Sequence, residues 1–374
     1  MNLEEFAKPM AAICSHSLVA PGRPLHWTII ANPTAGGFTI KSRWKQHSAA
    51  LKLYMEKAEA NPLREDAGPS KTALEADQSR GSLGRLGLTL TQGPGTAGKI
   101  VKALLEEASS TRSGGNAPFH LLITAGGDGT SLEALTVLYT APAALRSNFA
   151  VLRLPMGTGN DGADARELDG VLDRLIHPST VEYARALRLT TASGKGPFMA
   201  FNILSVGLDA FVTHMTNKMK GKLPGDSYKL WVDIASLLYD RLYKVGHMDV
   251  RAFDEAGRQV EDFGEKVLLL AVGASGHRTY GSNKRILPDE RNVCVVQQMS
   301  LFRKVALKGL FTTGGHIHKP ESKPFNAHRV EFRGENPILA QMDGEAVLLK
   351  PEDFPAAIEL TELAIPVLKL GERD

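Results

Sequence analysis

Gly126-Gly127-Asp128-Gly129-Thr130 joins an apolar, strand-like run at 119–125 to a helix-like run at 131–139. Glycines lack the Cβ that would keep a backbone away from a phosphate, and amide N–H groups near a helix N-terminus converge on an anion. Asp128 changes the chemistry. A carboxylate beside a polyphosphate is repelled unless a cation lies between them, so the pentad reads as a site for a nucleotide with Mg²⁺. The competing reading is a glycine turn followed by a capping box, because Thr130 and Glu133 have the S/T-x-x-E spacing. Gly157-Thr158-Gly159-Asn160-Asp161 repeats the same logic at the end of a neighbouring strand-like run. Two such turns suit one nucleotide held from adjacent loops.

These turns need a scaffold that gathers strand ends. Residues 25–31, 86–91, 119–125 and 149–154 read as strands, with helices expected over 41–60, 97–109 and 131–139. Such alternation predicts an α/β domain with a parallel sheet over 25–165. Ligands of these sheets bind beyond the carboxyl ends of the strands. Here those ends carry Asn32-Pro33-Thr34-Ala35-Gly36-Gly37, Thr91-Gln92-Gly93, the pentad and the Gly157 turn. Residues 61–85 are rich in charge, Gly, Ser and Pro and read as a flexible insertion. From about residue 180 to 350 short β-rich segments predict a second, mainly antiparallel β-sandwich domain, interrupted by a helical stretch at 226–245.

The second domain has a carboxylate pair of its own. Met342-Asp343-Gly344-Glu345 lies between strand-like runs, and Asp-Gly is a common hairpin turn. The functional reading adds that Asp343 or Glu345, held on a rigid hairpin, takes a proton from an attacking hydroxyl. Gly93-Pro94-Gly95-Thr96-Ala97-Gly98-Lys99-Ile100 falls one residue short of a Walker loop. Ile100 stands where the Mg²⁺-binding hydroxyl belongs, so a helix-entry turn beside the nucleotide is preferred. Gly314-Gly315-His316-Ile317-His318 lacks further ligands at metal spacing and reads as a histidine loop. Two runs, 218–223 and 303–311, mix basic and apolar residues as a membrane-surface contact or a solvated face would.

Composition excludes several classes. The 374 residues are 43% hydrophobic and 23% charged, with a net charge of +3. No apolar run approaches the roughly 18 residues that span a bilayer. Glu4 and Glu5 near the start argue against a secretory leader, and two cysteines, Cys14 and Cys294, are too few for a disulfide framework. The expected setting is cytoplasmic. No basic run interleaved with aromatics marks nucleic acid as a partner.

Taken in order, these motifs resemble the diacylglycerol kinase catalytic family, including bacterial lipid kinases. The pentad, Leu154-Pro155-Met156-Gly157-Thr158-Gly159-Asn160-Asp161, Asn202 to Ala210, the Tyr280 to Pro288 region, Gly315-His316 and Asp343-Gly344-Glu345 carry the likeness. The resemblance implies ATP between two domains, with Gly126, Gly127, Asp128, Gly129, Thr130, Ser131 and Leu132 around its phosphates. Asn32, Thr34, Thr91, Thr158, Gly159, Asn160 and Asp161 are further contacts, and Asp128 and Asp161 position Mg²⁺ or the acceptor. It implies Glu345 as the base with Asp343 close by, and residues 351–374 returning to the first domain. A lipid acceptor and peripheral contact with the inner membrane face follow, and the oligomeric state, monomer or homodimer, stays open.

Two departures stand out. Gly162, Ala163 and Asp164 replace a bulky residue, Ala and Arg, reversing a charge. Asp289-Glu290-Arg291-Asn292 replaces the family's Asp-Asp-Gly loop, putting an accessory structural Mg²⁺ site in doubt. The rivals are a soluble-substrate kinase of the NAD kinase type and a nucleotide-binding regulator without transfer activity. The chain lacks the Asn-Glu dipeptide with which NAD kinases hold their substrate.

Overall fold

The computed structural model describes residues 3–19, 24–60, 86–110, 117–219, 239, 245–280 and 284–371. The expected insertion at 61–85 lies outside them, as do residues 220–223 and the 226–245 helical stretch apart from Tyr239 and Val245. The chain divides into two compact units, Met1–Ala184 with Leu363–Asp374, and Arg185–Glu362.

In the first unit, strands β1 (Leu25–Ala31), β2 (Leu86–Leu90), β3 (Phe119–Gly126), β4 (Phe149–Pro155) and β5 (Ser179–Ala184) join β19 (Ile365–Leu370). Their order is β2-β1-β3-β4-β19-β5. The pairs among β1 to β4 are parallel, and β3 is buried along its whole length, as apolar runs covered on both faces require. Helices Lys41–Glu59, Thr96–Ser110, Asp128–Thr140 and Leu168–Ile176 connect the strands. The pattern reading missed a helix, Leu3–Ser15. Its Glu4 and Glu5 suit the positive end of the helix dipole, and Phe6, Met10 and Ile13 are fully buried in the unit's core. The return to this unit begins at Leu363, and β19 lies parallel to β4 and antiparallel to β5.

The second unit holds β6 (Leu187–Thr191), β7 (Phe198–Ala200), β8 (Ile203–Gly207), β9 (His247–Phe253), β10 (Gln259–Gly273), β11 (Arg278–Tyr280) and β12 (Lys284–Leu287). It continues with β13 (Val293–Gln297), β14 (Ser322–Phe325), β15 (Arg329–Gly334), β16 (Ile338–Met342), β17 (Glu345–Leu349) and β18 (Ala356–Leu360). The main path runs β17-β16-β8-β10-β9-β15-β18-β6-β7 and is antiparallel throughout. Strand β10 serves both halves of it. Its first half pairs with β9 and alternates in exposure, while its second half pairs with β8 and β13 and is buried. Leu189 of β6, Leu204 of β8, Val250 of β9, Val330 of β15 and Ala340 of β16 share one core, so distant strands of the path face each other as a sandwich.

Candidate active site

The turns after β1, β3 and β4 meet in the first unit. Asn32, just past β1, donates its N–H to the Ala125 carbonyl at 2.9 Å, and its Nδ2 lies 3.5 Å from the Thr130 hydroxyl. Its Oδ1 accepts from the Thr34 N–H (3.1 Å) and hydroxyl (2.8 Å). Thr91 follows β2 and donates its N–H to Ala31, and the Thr124 and Ser131 hydroxyls are 2.9 Å apart. The β3 and β4 turns touch through glycines. A Cβ on Gly157 would lie 2.6 Å from the Gly127 Cα and 2.9 Å from Asn160 Oδ1. Asn160 takes a left-handed φ of 62° and its Oδ1 accepts from the Gly157 N–H at 2.6 Å. Gly157→Ala therefore forces two backbones apart, and a loss of about 1–3 kcal/mol in urea unfolding is expected. Wild-type stability in that variant would deny the close approach.

The acids gather on the same turns. A Cβ at Gly159 would lie 3.1 Å from Asp161 Oδ2 and 3.2 Å from Asp128 Oδ2, so both carboxylates border one small space. Asp128 Oδ1 also accepts from the Gly162 N–H at 2.9 Å. Burial pushes the Asp128 carboxyl above the ordinary range, opposed by the Gly162 and Asp161 amides and by the Arg153 charge. A desolvated acid beside a second one is a place where a cation lowers the energy. Among the described residues no cluster of three or more His, Cys, Asp or Glu could hold a metal. Mg²⁺ fits such a site only with phosphate oxygens and water completing its shell.

The capping-box reading of these turns fails, and other contacts take its place. The helix begins at Asp128, with Gly127 as an N-cap that offers no side chain, so Thr130 lies within the first turn and no Thr130–Glu133 capping box forms. Glu133 instead accepts from the Gly95 N–H at 2.6 Å and the Ala97 N–H at 3.2 Å. Its carboxylate sits at the start of the Thr96–Ser110 helix, where a Walker loop would place phosphate, so the helix-entry reading of the Gly93 loop holds. The β4 turn has supports that spacing alone did not reveal. Arg43 donates to the Gly157 and Thr158 carbonyls at 2.9 and 3.2 Å. Arg153, a charge inside an apolar strand, pairs with Asp164 at 2.8 Å, and the Arg153 N–H donates to the same carboxylate at 2.6 Å. The acidic departure at Asp164 is thus answered by a cation from β4, and the lone Arg within that strand was the available signal.

In the second unit Asp343 and Gly344 form the two-residue loop between β16 and β17, both at positive φ (44° and 97°). The two carboxylates differ. Asp343 is 7% exposed and accepts from the Phe201, Asn202 and Ile203 amides at 2.5, 3.1 and 2.9 Å. It fastens the hairpin to the chain before β8. Glu345, the first residue of β17, is exposed. Beneath the loop, Gln341 Oε1 accepts from the Gly344 N–H (3.0 Å), Gln341 Nε2 donates to Ser205 (2.9 Å), and Ser205 donates to Asp209 (2.6 Å).

Burial pushes the Asp209 carboxyl up to about 6, against the Ser205 and Gln341 hydrogen bonds and the Lys284 charge. From about pH 4 to 6 the folded chain therefore binds the extra proton, and stability falls as pH rises through that window, staying low above it. Asp209→Asn should flatten the slope and gain about 3 kcal/mol at neutral pH, from 1.36 kcal/mol per pH unit. Urea titrations at both ends of the window check this, and an unchanged slope would assign the proton elsewhere.

Asp209 also borders a small cavity of about 90 Å³, lined by Leu208, Val212, Leu268, Leu307 and Phe311 together with Lys284, Lys304 and Lys308. His316 is fully buried, stacked on Phe311 at 4.2 Å, with Nε2 3.1 Å from the Ile286 carbonyl, so it is a packing residue. In the departing Asp289 loop, Arg291 grips the Asp289 carboxylate at 2.5 Å, holding that acid below its usual range. A guanidinium stands where a metal would need open oxygens, so an accessory Mg²⁺ does not fit there.

Residues 90–187 match the model of the diacylglycerol kinase catalytic domain. Over 205 residues the chain is 27% identical to "Probable lipid kinase YegS-like" of Enterobacter sp. (strain 638). That match covers 54% of this chain and 62% of the relative, so it spans less than two thirds of that protein. Among solved structures, a protein of Bacillus anthracis str. Sterne described as a putative diacylglycerol kinase superposes with a TM-score of 0.54 at 16% identity. It covers 91% of this chain and 94% of that one. A second structure so described, from the same organism, gives a TM-score of 0.52 at 16% identity, over 91% and 96% of the two chains. The resemblance to the diacylglycerol kinase catalytic family is borne out, and the solved structures share the fold of an α/β domain followed by an antiparallel sandwich.

Proposed function

We propose that this protein is an ATP-dependent kinase that phosphorylates a hydroxyl of diacylglycerol or a related lipid, working as a peripheral protein on the cytoplasmic face of a membrane. The observation that carries the reading is the contact of two glycine turns, at Gly127 and Gly157, beside the Asp128 and Asp161 carboxylates. Backbone without Cβ atoms suits phosphate, and acids at the same place suit the cation that accompanies it. The family match and the lipid-kinase relative support the same direction. Among the described residues no helix is long and apolar enough to cross a membrane.

The residues divide the work. Asn32, Thr34, Thr91, the 126–132 segment and the 158–160 turn bind and orient the triphosphate, with Arg43, Glu133 and the Arg153–Asp164 pair holding those turns in shape. Asp128 and Asp161 would hold Mg²⁺, which when bound neutralises charge on the phosphate oxygens. Glu345 accepts the proton of the acceptor hydroxyl while its oxygen bonds to the γ-phosphorus. The bond from that phosphorus to the β–γ bridging oxygen breaks, and ADP leaves with the electron pair. Asp343 is a positioning residue, since its oxygens are occupied by three amides.

The test is incubation with labelled ATP, Mg²⁺ and a panel of lipids in mixed micelles, beside NAD as a soluble acceptor. Label in a lipid phosphate is expected. Label in NAD alone would replace the reading with the NAD kinase one, and nucleotide binding without transfer would leave a regulator.

A further inference from the structure

The Leu301–Thr313 helix buries a lysine and leaves several apolar side chains in water. Ser300 caps it, accepting from the Arg303 N–H, and Gly314 ends it at a φ of 85°. A helix packed on a core ordinarily buries its apolar stripe and offers its charges to water. Here Lys304 is 7% exposed and Leu307 3%, whereas Phe302 is 88%, Val305 54% and Leu301 38% exposed. An aromatic ring left in water beside other apolar side chains marks a surface with a partner. The helix carries Arg303, Lys304 and Lys308 and no acidic residue, and its inner face lines the lysine-edged cavity through Lys304, Leu307 and Phe311. Arg303 is held by Glu321 at 2.5 Å, while Lys308 lies exposed on the helix.

We propose that this helix is the face by which the protein sits on an anionic lipid bilayer. Phe302 and Val305 enter the boundary between head groups and acyl chains, and Lys308, exposed on the flank of that face, meets lipid phosphates. Charge selects this occupant. A second copy docked here by two-fold symmetry would set one basic helix against another, whereas a bilayer rich in anionic lipid complements it. The proposal rests on the lipid-kinase reading only for its purpose: a lipid acceptor is reached from the membrane surface.

Co-sedimentation with vesicles of equimolar phosphatidylglycerol and phosphatidylcholine tests it, with pure phosphatidylcholine vesicles alongside. The wild type should pellet with the anionic vesicles, and Phe302→Asp should bind about tenfold more weakly. Phosphorylation of a water-soluble, short-chain diacylglycerol should be unchanged in that variant. Because Phe302 is outside the core, its melting temperature should also hold, and Val305→Glu gives an independent second loss. Undiminished vesicle binding by both variants overturns the proposal, as does a wild type that binds neither vesicle. Light scattering that shows a dimer which Phe302→Asp dissociates, without change in vesicle binding, assigns the face to a second copy and also overturns it. Vesicle binding as expected with no lipid phosphorylated would sink the kinase reading and leave the docking face standing.

Discussion

Glu345→Gln should lower kcat for phosphoryl transfer by about 10²–10⁴-fold while leaving nucleotide affinity and melting temperature unchanged. The two neighbouring acids contrast. Asp343 is buried with its oxygens committed to the Phe201, Asn202 and Ile203 amides, so it cannot accept a further proton without releasing that clasp. Glu345 stands one residue beyond Gly344, at the start of β17, on the same rigid turn and exposed. The glutamine keeps size and hydrogen-bonding shape and removes only the capacity to take a proton. Asp343→Asn serves as the control: it should lower melting temperature along with activity, because an amide cannot accept as a carboxylate does from three N–H groups. Single-turnover measurements separate the chemical step from product release. If Glu345→Gln retained kcat within about tenfold of wild type, the base would have to be sought elsewhere.

Asp128→Asn should lower Mg²⁺-dependent turnover by about 10²–10³-fold, the scale set by removing one electrostatic contributor from a phosphoryl-transfer site. Its stability should not fall. Asn keeps the acceptor for the Gly162 N–H, and neutralising an acid whose pKa is raised by burial removes a desolvation cost. The raised pKa also gives a pH signature. In the wild type, protons should compete for the Asp128 carboxylate at higher pH than for an ordinary aspartate, so apparent Mg²⁺ affinity is expected to decline early as pH is lowered. The asparagine variant should bind Mg²⁺ weakly at every pH and show no such decline. A variant with wild-type Mg²⁺ response would remove Asp128 from the metal and leave it as a brace for the Gly162 amide.

Much of the first unit was legible because its signals are local. The apolar runs that became β1, β3 and β4, and the glycines that end two of them, depend on residues within a few positions of one another. Most boundaries moved by a single residue, and the largest shift came where a turn was absorbed into its helix at Asp128, which dissolved the Thr130–Glu133 box. The Leu3–Ser15 helix escaped notice because its strongest feature, Phe6, Met10 and Ile13 buried in the first unit's core, is a tertiary one. The outward-facing Phe302 was equally hidden, since a mixed basic and apolar run does not say which face is inside.

The sequence by itself determined that glycine-rich, carboxylate-bearing turns end the strands of an α/β domain, and that an Asp-Gly hairpin carries two more acids farther along. Strand period and turn chemistry are short-range physics and survive without a fold. Only the tertiary structure decided which donors each acid meets. Asp343 meets the Phe201 amide 142 residues away, Glu133 meets the Gly95 amide 38 residues away, and Arg153 answers Asp164 on the turn that follows its own strand. A carboxylate's role follows from the donors and charges around it, and those are assembled by folding from distant parts of the chain.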